Sequence, residues 1–128
     1  NVVIKGPILV ADDNPVNRDL IKMQLESLSF DVDLAEDGDT ALKKWLSIRH
    51  PLVMTDCKMP GLDGFGLAHE IRKVDADKHT KIIAYTGSAK ENTSNCYAAG
   101  MDEILEKPLK LQELSKMLDR CVAAGVFK

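Results

Sequence analysis

Five short apolar runs recur along this chain, each followed by a longer stretch of helical period, and that alternation restricts the fold more than any other feature. The runs are ILVA (residues 8–11), VDLA (32–35), LVMT (52–55), KIIAYT (81–86) and EIL (103–105). Apolar runs of this length, bounded by turn residues, fit strands. The segments near 15–28, 38–49, 64–74, 89–99 and 109–123 space their apolar residues three to four apart, as amphipathic helices do. Strands apolar at successive positions are covered on both faces, and strands that alternate with helices run parallel. The expectation is an α/β fold: a parallel sheet with helices on each side.

Local signals agree with these boundaries. Asn14 followed by Pro15 suits an N-cap and first helical position, Ser88 with Glu91 has the form of a capping box, and Gly100 suits a helix C-terminus. Ala41, Leu42, Trp45 and Leu46 share one helical face, as do Leu111, Leu114, Leu118, Cys121 and Val122, and both sets are expected in the core. The first helix is apolar over a wider arc. Asn17, Ile21, Leu25 and Leu28 form one stripe, while Val16, Leu20 and Met23 form a second beside it. That second stripe has two readings, more core or a docking surface.

With 128 residues and 45% hydrophobic side chains, the chain encloses one ordinary core, so a single domain over 1–128 is expected, its core near 7–122. A net charge of −3 without a Lys/Arg stripe argues against nucleic acid or an anionic membrane as a direct partner. No run approaches the roughly 20 apolar residues of a membrane span, and no signal-peptide pattern opens the chain, so a soluble domain in the cytoplasm is expected. Cys57, Cys96 and Cys121 form no CxxC pair and read as buried small hydrophobes in a reducing compartment. His50, His69 and His79 have no metal-ligand spacing and read as surface residues.

In a parallel sheet, ligands bind beyond the carboxyl ends of the strands. Those ends carry Asp12 and Asp13, Asp56, Thr86 and Lys107, from four separate strands. Crowded carboxylates repel unless a cation neutralises them. Oxygen donors without His or Cys favour a hard divalent cation, magnesium rather than zinc. Cation, ammonium and hydroxyl together suit transfer of a phosphoryl group onto a carboxylate oxygen.

The stretches ILVADDNPVNR, TDCKMPGLDG, AYTG and AAGMDEILEKPL resemble the receiver domain of two-component response regulators and hybrid histidine kinases, over about residues 7–122. The resemblance implies a flavodoxin-like, doubly wound five-stranded sheet of order 2-1-3-4-5. It implies that Asp56 accepts a phosphoryl group from phosphohistidine. It further implies Mg²⁺ among Asp12, Asp13, Asp56 and the backbone carbonyl of Lys58, with Mn²⁺ able to substitute. Thr86 and Lys107 would bind the phosphoryl oxygens, and Lys107–Pro108 would be cis. Many receivers place an aromatic residue three positions before the lysine; here that position is Ile104, which removes the usual aromatic reporter of the switch. Lys58 and Ser88 stand at positions that in the family flank the path of the hydrolytic water and tune phosphoryl lifetime; for Lys58 two readings stay open, a shield over the phosphoryl group or a side chain simply in solvent.

DDNPVNR resembles receivers fused to sensor histidine kinases more than free-standing regulators, so the implied setting is a hybrid kinase, possessing a parent chain in the inner membrane. The implied partner is a histidine kinase or histidine-phosphotransfer domain, for which Val16, Leu20 and Met23 are candidate docking residues. The domain would catalyse its own phosphorylation and dephosphorylation without being an enzyme on other substrates, and would be monomeric in isolation. The alternatives fit less well. A stand-alone response regulator shares the same site. A haloacid-dehalogenase-type hydrolase would carry a second acid two residues after the nucleophile, where this chain has Lys58. GLDGFG spaces its glycines in the reverse of a dinucleotide-binding fingerprint. A non-phosphorylated pseudo-receiver would lack one of the acids or the lysine, and all are present.

Overall fold

The computed structural model describes residues 5–87 and 89–127, so the expected Ser88 cap and the lifetime position Ser88 lie outside the described residues. The chain order is β1 (Lys5–Ala11), α1 (Pro15–Ser27), β2 (Phe30–Ala35), α2 (Gly38–Ile48), β3 (Leu52–Asp56), α3 (Gly64–Val74), β4 (Lys81–Thr86), α4 (Ala89–Ala98), β5 (Glu103–Glu106) and α5 (Leu111–Ala123). Every strand pair is parallel, and the sheet order is β2-β1-β3-β4-β5. The chain therefore winds outward from β1 to β2, then crosses to the other side of β1 to lay down β3. That reversal opens a crevice above the carboxyl ends of β1 and β3.

Strand alternation sorts the side chains into two cores. Leu9 and Ala11, Val53, Ile82 and Ala84 face Ala41 and Trp45 of α2, Leu67, Ala68 and Ile71 of α3, and Cys96 of α4. Ile8 and Val10, Leu52 and Met54, Ile83 and Tyr85 face Ile21 and Leu25 of α1 and Leu114, Met117, Leu118 and Cys121 of α5. Asn14 caps α1 as expected, its Oδ1 accepting from the N–H groups of Val16 at 2.9 Å and Asn17 at 3.3 Å, with Pro15 in the first turn. Gly100 follows α4 at φ +102, a conformation that favours glycine, while the Met101 N–H closes the helix end on the Cys96 carbonyl at 3.0 Å.

Some expected core positions are not core. Leu46 and Leu111 are about half exposed. Leu46 lies one residue, about 100° of helical turn, past Trp45, beyond the width of the buried arc; Leu111 sits in the open first turn of α5, and Met117 fills the core instead. The second α1 stripe is also outside the core, with Val16 74%, Leu20 50% and Met23 67% exposed.

His50 is not a surface residue: it is fully buried, whereas His69 and His79 are exposed as expected. Arg49 ends α2 in the left-handed region, φ 58 and ψ 53, and the chain reversal brings the following imidazole to Asp33 of β2, Nε2 to Oδ2 2.9 Å. Burial alone would raise the Asp33 carboxyl, but the His50 and Lys44 hydrogen bonds outweigh it and hold it below its ordinary 3.8. A lowered folded value means that the Asp33 contribution is present above pH 3.8 and lost as pH falls through the folded value. Asp33→Asn should therefore flatten the acid limb of the stability curve below pH 3.8, measured by urea unfolding at stepped pH. His50→Ala should cost about 2 kcal/mol near neutral pH, since it strands a partly buried acceptor.

Candidate functional site

The crevice is built by four strand ends. Ala11 of β1 is the register partner of Thr55 in β3, so Asp12 and Asp56, each one residue further on, emerge side by side. Asp13 joins them, and carboxylate oxygens of Asp12, Asp13 and Asp56 lie within 4.8 Å of one another. Asp12 and Asp56 are buried and Asp13 is exposed. Two buried negative charges at such a separation repel by an amount of the order of 3 kcal/mol at an effective dielectric near 20.

The protein offsets this repulsion only in part. Lys107, just past β5, places Nζ 2.8 Å from Asp56 Oδ2 and 5.3 Å from the centre of the Tyr85 ring. Asp12 Oδ1 accepts the Asn14 N–H at 2.9 Å, and its Oδ2 accepts the Tyr85 hydroxyl at 2.9 Å. Burial, reinforced by the Asp12 charge, pushes the Tyr85 phenol far above its ordinary range, so Tyr85 acts only as a neutral donor. Arg18 Nη1 donates to the Asp12 carbonyl at 2.7 Å and fixes the chain between β1 and α1. Among the described residues, three carboxylates in the cluster against one contacting ammonium leave a local excess of negative charge. Donors of oxygen alone suit a hard divalent cation, so the residues present fit magnesium.

Thr86 ends β4. Its hydroxyl oxygen accepts from Asn92 Nδ2 of α4 at 3.3 Å, and its carbonyl accepts the Lys107 N–H at 3.0 Å, which ties the ends of β4 and β5 together. The Lys107–Pro108 peptide is cis. The Lys58 side chain is exposed, while its N–H points at Asp56 Oδ1 over a long 3.5 Å. Ile104 pairs with Ala84 in the sheet and packs, half-buried, on the α2 and α3 side of the core. Asn17 is half-buried as its stripe requires.

Tyr85, Asn92 and Gly64 were not among the residues singled out from sequence. A tyrosine in a buried strand needs a hydroxyl partner, and a lone asparagine on the inward face of a helix needs one too; those were the available signals. Gly64 opens α3 directly against the Asp56 backbone: a Cβ there would stand 2.2 Å from the Asp56 carbonyl oxygen and 3.0 Å from the Cys57 Cα.

The sequence pattern of the response regulator receiver domain matches residues 8–119. This chain belongs to the receiver family. Phosphoryl transfer to an aspartate is the general function of receivers, and they bind magnesium at an acidic pocket. The chain is 38% identical over 126 residues to the virulence sensor protein BvgS of Bordetella pertussis, covering 94% of this receiver and 10% of that protein. It is 40% identical over 117 residues to the sensor protein EvgS of Escherichia coli, covering 91% and 10%. The receiver thus spans about a tenth of the length of these curated relatives. Among solved structures, it is similar to the receiver domain of a sensor histidine kinase from Pseudomonas aeruginosa that has a magnesium ion coordinated in its active-site cleft. The TM-score is 0.85 and the identity 37%, covering 93% of this chain and 98% of that one. Among the described residues of this receiver, no helix is long and apolar enough to cross a membrane.

Proposed function

We propose that Asp56 is the phosphoacceptor of a phosphorelay whose donor is a phosphohistidine on a histidine kinase or histidine-phosphotransfer domain. The observation that carries this reading is the position of Asp56: within 4.8 Å of two further carboxylates and 2.8 Å from the Lys107 ammonium. An Asp56 oxygen attacks phosphorus, the N–P bond breaks, and its electron pair returns to the imidazole, which takes up a proton. The Lys107 ammonium and Thr86 hydroxyl receive the phosphoryl oxygens as charge develops there. Asp12, Asp13, Asp56 and the Lys58 carbonyl would hold Mg²⁺, with Mn²⁺ as a substitute. When bound, the ion neutralises charge on the transferring group. Burial of Asp56 limits access of water to the acyl phosphate, and Lys58 and Ser88 set how long it lasts.

Recruitment of Thr86 to the phosphoryl group competes with its bond to Asn92, so α4 feels the change without an aromatic residue at Ile104. Labelling by acetyl phosphate should require Mg²⁺ or Mn²⁺, and undiminished labelling in excess EDTA would contradict the assignment. The domain acts on itself rather than on other substrates and is a monomer when isolated. Its setting is a single receiver unit, over 1–128, of a hybrid kinase in which it faces the cytoplasm and the parent chain sits in the inner membrane.

Val16, Leu20 and Met23 form the docking surface for the helical domain that carries the donor histidine. Their exposure next to Asp13, at the mouth of the crevice, supports this reading. Leu20→Glu should slow phosphotransfer from the protein donor about tenfold or more, while folding and labelling by acetyl phosphate stay unchanged. Equal loss with both donors would remove Leu20 from the docking surface.

A further inference from the structure

We propose that Cys57 and Cys96 form a reversible disulfide that fixes α4 against the end of the strand carrying Asp56. The two Sγ atoms lie 3.6 Å apart, each side chain is fully buried, and neither takes part in the site described above. Cys57 directly follows β3 and is anchored by its own carbonyl, which accepts the Gly64 N–H at 3.1 Å. Cys96 projects inward from α4. A disulfide needs the sulfurs at about 2 Å, an approach of roughly 1.5 Å that side-chain rotation can largely supply.

Access for an oxidant comes from α4. Its buried side chains among the described residues are Asn92 and Cys96, whereas α5 buries Leu114, Met117, Leu118 and Cys121. Held by so little apolar area among its described side chains, α4 opens locally more readily than its neighbours and then presents Cys96. The oxidant is a low-molecular-weight disulfide. The Cys96 sulfur attacks it, releasing one small thiol and leaving a mixed disulfide on Cys96. While α4 is still open, water reaches Cys57, whose thiol pKa is otherwise pushed up to about 12 by burial. The Cys57 sulfur then attacks the Cys96 sulfur, and the second small thiol leaves with the Cys57 proton before the helix recloses. Two protein thiols are oxidised and one small disulfide is reduced to two thiols. Cys121 is a built-in control: it is buried beside the Met117 thioether, Sγ to Sδ 3.6 Å, and has no thiol to pair with.

The bond bears on signalling through Asn92, one turn before Cys96, which donates to Thr86. Tying Cys96 down holds Asn92 on Thr86, the bond that the proposed switch has to release.

The test uses the whole folded chain, incubated with oxidised glutathione, quenched in acid and mapped by peptide mass. The expected product is a Cys57–Cys96 linkage with the loss of two hydrogens, at least about tenfold over any adduct at Cys121, because the paired sulfurs react within one folded molecule. Amide hydrogen exchange across α4 should slow about tenfold or more in this oxidised form and recover with dithiothreitol. Thiols that stay reduced until the chain unfolds, or a glutathione adduct on Cys96 that never closes on Cys57, would overturn the proposal. So would unchanged exchange in α4 after the bond forms. Neither readout involves phosphorylation, so a failure here is distinct from a failure of Asp56 as acceptor.

Discussion

Gly64→Ala is expected to lower the rate at which Asp56 is labelled by acetyl phosphate by about a hundredfold, although residue 64 contributes no functional group. The added methyl would stand 2.2 Å from the Asp56 carbonyl oxygen, far inside contact distance, and the obstructing atoms are backbone rather than the end of a flexible side chain. Relieving the clash requires β3 and the start of α3 to separate by about 1 Å, which shifts Asp56 relative to Asp12 and Lys107; a displacement of that size at a reacting atom is worth about two orders of magnitude in rate. Stability should fall by about 1–3 kcal/mol, as overpacking typically costs. Gly87→Ala is the control: a Cβ there meets nothing within 4 Å, so its stability should stay within about 0.5 kcal/mol of the wild type. Normal labelling of Gly64→Ala would show that the acceptor does not depend on this close approach.

Asp13→Asn should separate stability from function. Asp13 is exposed and adds its charge to the cluster of Asp12 and Asp56 without, among the described residues, a partner as close as the one Lys107 gives Asp56. In EDTA, removing that charge relieves repulsion, so the variant should melt at a higher temperature than the wild type. With magnesium present the order should reverse. The wild type gains from a cation bound to its folded state, whereas the variant lacks one of the proposed ligands and should need at least about tenfold more Mg²⁺ for half-maximal labelling. Thermal melts and labelling across a Mg²⁺ titration check both halves. A variant less stable in EDTA, or one with unaltered Mg²⁺ dependence, would show that Asp13 lies outside the cation site.

The sequence exposed the architecture because its strands are short, apolar and separated by helical period, and parallel pairing then carries every strand end to one edge. Asp12, Asp13, Asp56 and Lys107 come together for that reason alone. Side-chain partnership was less visible. Tyr85 sits among core residues of β4 and reads as one of them, and its hydroxyl partner Asp12 is 73 positions away in sequence. Gly64 lies in a stretch that reads as an ordinary turn, yet it is needed because two backbones touch. His50 was misplaced because a residue between a helix and Pro51 suggests solvent; the left-handed turn at Arg49 and the acceptor on β2 are tertiary facts. Periodicity likewise gave the direction of each buried face but not its width, which left Leu46 and Leu111 outside the core and left Val16, Leu20 and Met23 undecided.

The central claim is that one carboxylate, Asp56, receives the phosphoryl group. It is tested most directly by phosphorylating the domain with acetyl phosphate and magnesium, then locating the modification by peptide mass spectrometry at low temperature, with Asp56→Asn treated in parallel. The account predicts one phosphoryl group per chain, on Asp56, and none on the variant. A phosphoryl group on Asp12, Asp13 or any other residue of the wild type, or undiminished labelling of Asp56→Asn, would contradict it.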